Sequence, residues 1–155
     1  MIDAKISEGQ AALEAHLENT LYENNVQQKD IVNGLMRSSG GECSFADKTF
    51  TLEFPIQDWQ TNRVGNLHGG IMCTAFDITI AALTRFFTGE NFAPTISLDV
   101  KFLRPAAVGE TIRVTARATF TGRRITQLTG EAYNKGSGKL IATASSVYLN
   151  ADTTK

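Results

Sequence analysis

The stretch from Gly69 to Thr88 leaves this chain few ways to fold. Gly69-Gly70-Ile71-Met72-Cys73-Thr74-Ala75-Phe76-Asp77-Ile78-Thr79-Ile80-Ala81-Ala82-Leu83-Thr84 puts small or hydrophobic residues on nearly every side of a helix. Such a helix needs other elements wrapped around it. Asp77 is the only formal charge between Arg63 and Arg85. A carboxylate in those surroundings is costly unless it is paired, hydrogen-bonded or functional. Upstream, the polar turn Asn62-Arg63-Val64-Gly65-Asn66-Leu67-His68 delivers the chain to the helix tip at Gly69-Gly70. There the first amide N–H groups lack intrahelical acceptors and the dipole favours negative charge. Two glycines let another group approach the backbone. Gly69 and Asp77 are eight residues apart (77 − 69), roughly 12 Å along a helix axis. A carbonyl held at the tip is beyond direct reach of the same helix's carboxylate. If both act on one bond, the carboxylate comes from a second copy of the helix in a symmetric dimer.

With 155 residues, 42% of them hydrophobic and 20% charged, the chain suits one globular domain. A net charge of −1 gives no support for nucleic acid as a partner. Cys43 and Cys73 are too few for a disulfide scaffold and are not in a metal-ligand spacing, so no metal is expected and a reducing compartment is. No basic-then-apolar leader is visible, and Thr and Asp interrupt even the central helix. A cytoplasmic protein with no membrane partner is the expectation.

Residues 2–24 read as a helix with Ile2, Ile6, Leu13, Leu17 and Leu21 inward and Ser7-Glu8-Gly9-Gln10 as a capping box. Up to Arg37 there are three basic residues against six acidic ones, which suits a solvated outer face. A short helix near 27–37 ends at the breaker Ser38-Ser39-Gly40-Gly41. Residues 1–40 are read as a helical extension and 41–150 as the main domain. Glu42–Ala46 and Thr49–Ile56 form a hairpin around Asp47-Lys48. After the helix, period-two alternation predicts strands over Thr95–Leu103, Thr111–Phe120, Arg124–Asn134 and Lys139–Asn150. In the first of these Ile96, Leu98, Val100 and Phe102 share one face, and Thr95, Ser97, Asp99 and Lys101 the other. Gly136-Ser137-Gly138-Lys139 is a hairpin turn, since it lacks phosphate-loop spacing. The fold class is α+β: a curved antiparallel sheet of five or six strands, joined as a meander, around one long helix. The tail 151–155 is expected to fray.

The run Asn62-x-x-Gly65-x-Leu67-His68-Gly69-Gly70, with Asp77 nine positions after the histidine, resembles the hotdog-fold acyl-CoA thioesterases. Thr95-Ile96-Ser97-Leu98-Asp99-Val100-Lys101-Phe102-Leu103-Arg104-Pro105, followed by Gly109-Glu110, is similar to their PaaI-type (phenylacetic acid degradation) branch. The resemblance spans about residues 42–150. It implies hydrolysis of an acyl-CoA thioester to a free acid and CoA, with no cofactor. It implies that the Gly69 N–H polarises the thioester carbonyl and that Asp77 attacks it or activates a water. It gives Asn62 and Thr95 the placing of water or thioester, and His68 the shaping of the loop. It also implies a homo-oligomer, a dimer as the minimal active unit and a tetramer as a pair of dimers.

Preformed N–H donors suit the developing oxyanion, and a poorly solvated carboxylate is a more reactive base. Thiolate leaves readily, so a strong general acid is not required. Lys101, Arg104, Arg123 and Arg124 either meet CoA phosphates or are ordinary exposed sheet residues. Cys73 lies one turn before Asp77 without a base partner and reads as a small core residue. Phe76, Phe86, Phe87, Phe92 and Trp59 are candidates for an acyl pocket. A non-catalytic acyl-CoA binder of the same fold is the alternative; a hydratase would need an acid–base pair that the sequence does not supply.

Overall fold

The computed structural model describes residues 2–89 and 92–150. In chain order the elements are α1 (Ile2–Tyr22), a π-turn (Glu23–Gln27), α2 (Val32–Leu35), β1 (Gly40–Ser44), β2 (Thr49–Pro55), a 3-10 turn (Asp58–Gln60), α3 (Gly69–Thr88), β3 (Thr95–Phe102), β4 (Thr111–Thr121), β5 (Ile125–Asn134) and β6 (Leu140–Leu149). The strands form one six-stranded antiparallel sheet ordered β1-β2-β4-β5-β6-β3. The tail expected to fray, 151–155, lies outside the described residues.

Helix α3 packs on one face of this sheet and buries Met72, Ala75, Phe76, Ile78, Ile80, Ala82 and Leu83. Thr79 and Thr84 are also buried, and each hydroxyl donates to the carbonyl four residues back, at 2.8 and 2.9 Å. Opposite, Phe50, Leu52 and Phe54 of β2 pair with Ala116, Val114 and Ile112 of β4 to make an apolar ladder. A Cβ on Gly130 of β5 would come within 2.7 Å of the Phe76 ring, so the close helix–sheet approach there requires glycine. Gly89, at φ 69, closes the helix by donating its N–H to the Arg85 carbonyl at 2.9 Å. By length and a hydropathy of 1.4, α3 would suit a bilayer span, despite its Thr and Asp; here half of it is buried inside the protein.

Several boundaries depart from the sequence reading. Helix α1 already runs from Ile2, so Ser7 lies inside it and caps nothing, and Ile6 is 39% exposed. Its inward face is Leu13, Leu17, Thr20 and, in the π-turn, Asn24. Gly40 and Gly41 belong to strand β1 rather than to a breaker, because Gly41 lies so close to the Thr51 carbonyl that a Cβ would clash. Strand β3 is not part of a meander: it crosses to the far edge and pairs with β6, while β4 pairs with β2. The connection 103–110, with Pro105, is too long for the tight hairpin that adjacency would require.

The two sheet edges are treated differently. Along β1, the Gln10 amide of α1 donates to the Cys43 carbonyl at 3.0 Å and accepts from the Phe45 N–H at 2.8 Å, so the helix covers that edge. Strand β3 carries no such cover, and Ile96 and Phe102 are each 56% exposed. Helix α1 also seats His16 against Phe50 and Phe86, with Nε2–H donating to the Ala82 carbonyl at 2.8 Å.

Leu13 is fully buried in the same core as α3, so Leu13→Ala should cost about 2–5 kcal/mol in denaturant unfolding. A loss within about 0.5 kcal/mol would mean that α1 is not part of the cooperative unit. Burial holds the His16 imidazole below its ordinary value. The folded state therefore resists protonation, and the stability this contributes is full above the unfolded pKa of about 6.5 and declines as pH falls below it. His16→Gln should narrow its stability gap to the wild type between pH 7 and 5 (values spanning that pKa); a gap constant with pH would contradict this.

Candidate active site

Two groups of polar residues border α3, one at its tip and one about two turns further along. At the tip, Asn62 organises the approach loop. Its Oδ1 accepts from the Val64 and Asn66 amides at 3.0 and 3.1 Å, and Gly65 turns the chain at φ 80. Two N–H groups aimed at one atom fix that atom as oxygen, which leaves the Nδ2 amide available to a ligand. The loop is tied down by Leu67 N–H to the Ala106 carbonyl at 2.7 Å and His68 N–H to the Gln60 carbonyl at 2.8 Å.

His68 is the N-cap of α3. Its Nδ1 accepts from the Gly70 N–H at 3.0 Å, and its carbonyl accepts from Ile71 and Met72 at 2.9 and 3.0 Å. An accepting Nδ1 puts the proton of the neutral ring on Nε2. After these bonds, among the described residues, the Gly69 N–H alone in the first turn has no acceptor. A Cβ on Gly69 would meet the Phe102 ring at 3.3 Å, so the glycine lets β3 close over the tip. A groove of about 370 Å³ opens here, lined by Asn62, Leu67, Gly69, Met72, Phe102 and Arg104 among others.

Further along, Asp77 is half-buried rather than enclosed. Its Oδ1 accepts from the Thr95 hydroxyl at 2.8 Å and from the Tyr148 phenol at 2.6 Å. Thr95 reaches it through a bulge in β3. Thr95 pairs with Tyr148 and Ser97 with Val147, so two steps on β3 match one on β6. The bulge moves Thr95 off the polar face that simple alternation gave it, onto the α3 side with Leu98 and Val100. Tyr148 is fully buried. Burial and then the bond to Asp77 push its phenol far above the ordinary tyrosine range, which keeps it a donor.

The tip thus gathers Asn62, His68 and Gly69, and the second group gathers Asp77 and Thr95. One protomer does not join the two. Arg104 borders the tip groove, its Nη1 donating to the Leu140 carbonyl at 2.7 Å. Arg123 and Arg124 are exposed in the β4–β5 turn, at the opposite, Thr95 end of the sheet. Lys101 pairs with Asp99. Of the aromatic candidates, Phe76 is core, and Phe86 and Phe87 stack with Phe45 near α1, while Trp59 and Phe92 are exposed, so they do not converge on one pocket. Burial raises the Cys73 thiol, which disfavours a thiolate nucleophile. No three His, Cys, Asp or Glu side chains form a metal-binding group among the described residues. Sequence reasoning missed Tyr148. Its signal was the alternation of β6, which puts Ala142, Ala144, Ser146 and Tyr148 on one face, but the β3–β6 pairing was needed to aim it.

The family model described as the thioesterase superfamily matches residues 64–141, just over half of the chain, including His68, Gly69, Asp77 and Thr95. The chain is 34% identical over 101 residues to acyl-coenzyme A thioesterase 13 of Mus musculus, covering 64% of this chain and 71% of that protein. The fold resembles zebrafish thioesterase superfamily member 2, with a TM-score of 0.75, 24% identity and coverage of 87% of this chain and 98% of that one. A phenylacetic acid degradation-related protein from Ralstonia eutropha JMP134 matches with a TM-score of 0.69 and 26% identity, over 83% of this chain and 98% of that one. Motif, fold and relatives agree: the chain is a hotdog-fold thioester hydrolase and belongs to the thioesterase superfamily.

Proposed function

We propose that the protein is an acyl-CoA thioesterase whose site is shared between two copies of the chain. The observation that carries this reading is the placement of its two half-sites on the two ends of β3. Phe102, at one end, packs on Gly69 and its unclaimed N–H. Thr95, at the other, holds Asp77. The strand between them is an uncovered sheet edge with apolar side chains exposed, the kind of edge that pairs with another chain. Antiparallel pairing of β3 with its own copy lays each end on the opposite end of the partner. The tip of one subunit then faces Asp77 of the partner subunit. Arg104 of one subunit comes to the same end as Arg123 and Arg124 of the partner subunit, an arrangement that suits the phosphates of CoA. The acyl-CoA chemistry named for the mouse relative supports the substrate class.

In this reading the Gly69 N–H donates to the thioester oxygen and stabilises the negative charge that develops there. Asp77 of the partner subunit supplies the oxygen nucleophile, either its own or that of a water whose proton it takes. The C–S bond breaks and the sulfur leaves as thiolate, which recovers a proton to give CoA. Attack by water gives the free acid directly; attack by Asp77 leaves a mixed anhydride, which a water then hydrolyses to the free acid and the restored carboxylate. Asn62 Nδ2 and the Thr95 hydroxyl place the thioester or the water, and His68 holds the tip in shape. The free thiols Cys43 and Cys73 fit a reducing, cytoplasmic setting.

Gly69→Pro removes one N–H and adds a ring whose Cβ lies 3.3 Å from the Phe102 ring, an exposed side chain with room to shift. Gly69 is the first helical residue, where proline is favoured, and His68 at φ −65, ψ 137 has the extended backbone that a following proline needs. CoA release from aryl, short and long acyl-CoAs should fall about 100- to 1000-fold in kcat/KM in Gly69→Pro and in Asp77→Asn alike. A wild type no faster than these variants on every substrate would favour a non-catalytic acyl-CoA binder.

A further inference from the structure

We infer that Tyr148 is a positioning residue for the reaction: its phenol, with the Thr95 hydroxyl, holds one oxygen of Asp77 so that the other faces the thioester. The inference rests on the reading of Asp77 as the reacting carboxylate. Both donors converge on Oδ1, at 2.6 and 2.8 Å, whereas Oδ2 has no partner among the described residues. A carboxylate on a helix has two rotatable side-chain bonds and swings freely unless something fixes it. Thr95 alone gives the carboxylate a single anchor, at the first residue of β3. Tyr148 is fully buried on the internal strand β6, between β5 and β3, and its ring cannot move without disturbing the core. Its hydroxyl also lies 3.2 Å from the Asp77 backbone carbonyl, which places it against the helix at that residue. The bulge that turns Thr95 inward sits directly across from Tyr148, so the sheet's one irregularity on this strand pair assembles the two-donor clamp. A phenol that stays protonated keeps its O–H to donate, which suits the task of holding a carboxylate oxygen rather than moving a proton.

The test compares kcat and KM on an acyl-CoA that the wild type hydrolyses, alongside melting temperature and oligomeric state. Tyr148→Phe keeps the ring and removes one charge-assisted hydrogen bond. It should lower kcat about 10- to 100-fold with KM within about twofold. In an Asp77→Asn background the same change should have little further effect, because the phenol acts through the carboxylate. A folded Tyr148→Phe with wild-type kcat, or one that changes only KM, overturns the inference. So does an equal loss in the Asp77→Asn background. If Tyr148→Phe does not fold, Tyr148→4-aminophenylalanine offers a weaker donor in the same place: kcat reduced several-fold at unchanged KM supports the inference, and wild-type kcat overturns it. Asp77→Asn separates the two readings. Wild-type rates in Asp77→Asn would sink the assignment of Asp77 itself, whereas a slow Asp77→Asn beside a fast, folded Tyr148→Phe would sink only the role of Tyr148.

Discussion

Burial of the apolar face of α3 against the sheet limits what the fold can offer a ligand. Each large apolar side chain that the helix removes from water contributes about 1.5–3 kcal/mol, and Phe76, Ile80 and Leu83 are buried completely. That gain requires every polar atom along the helix to be answered. The threonine hydroxyls are answered internally by carbonyls one turn back, and the amides of Gly70, Ile71 and Met72 by His68. Among the described residues from Gly69 to Asp77, what is left over is small: one N–H at the tip and one carboxylate oxygen two turns on. We propose that the chemistry of the protein uses those two leftovers.

Strand β3 turns the leftovers into a site. Its two ends touch them, Phe102 at Gly69 and Thr95 at Asp77, so the strand separates the half-sites by its own length. The same strand is the sheet's open edge, while α1 covers the other edge at β1. Edge protection at one side and apolar exposure at the other are cheap to explain if β3 meets a second β3. The bulge re-aims Thr95 and leaves Leu98 and Val100 facing α3.

The helix, its tip and the three-strand core β4–β6 were legible in the sequence because each is dictated by local periodicity: an all-round apolar helix, and strands of strict alternation. The partners of those strands were not. Where β3 lies depends on a crossover, and no residue in Leu103–Glu110 states which neighbour it will find. Thr95 was named from the family resemblance, yet alternation alone put it on the wrong face, since a bulge has no signature in a Thr-Ile-Ser run. Tyr148 escaped for a related reason. A tyrosine in a strand reads as half-buried packing, and its hydroxyl gains meaning only when β6 is known to sit between β5 and β3. The places of Asn62 and His68 in the approach loop were legible, but their bonds within it became visible only with the geometry.

Sharing of the site between subunits is tested most directly by mixing two dead proteins. Gly69→Pro and Asp77→Asn chains, each inactive alone, are unfolded and refolded together so that subunits reassort. If the tip of one chain works with the carboxylate of the other, half of the dimers are mixed and each carries one intact site, so about a quarter of wild-type activity returns. Activity that stays at the level of the separate variants, in a mixture shown to contain mixed dimers, would place Gly69 and Asp77 of a single chain in one site and contradict the account.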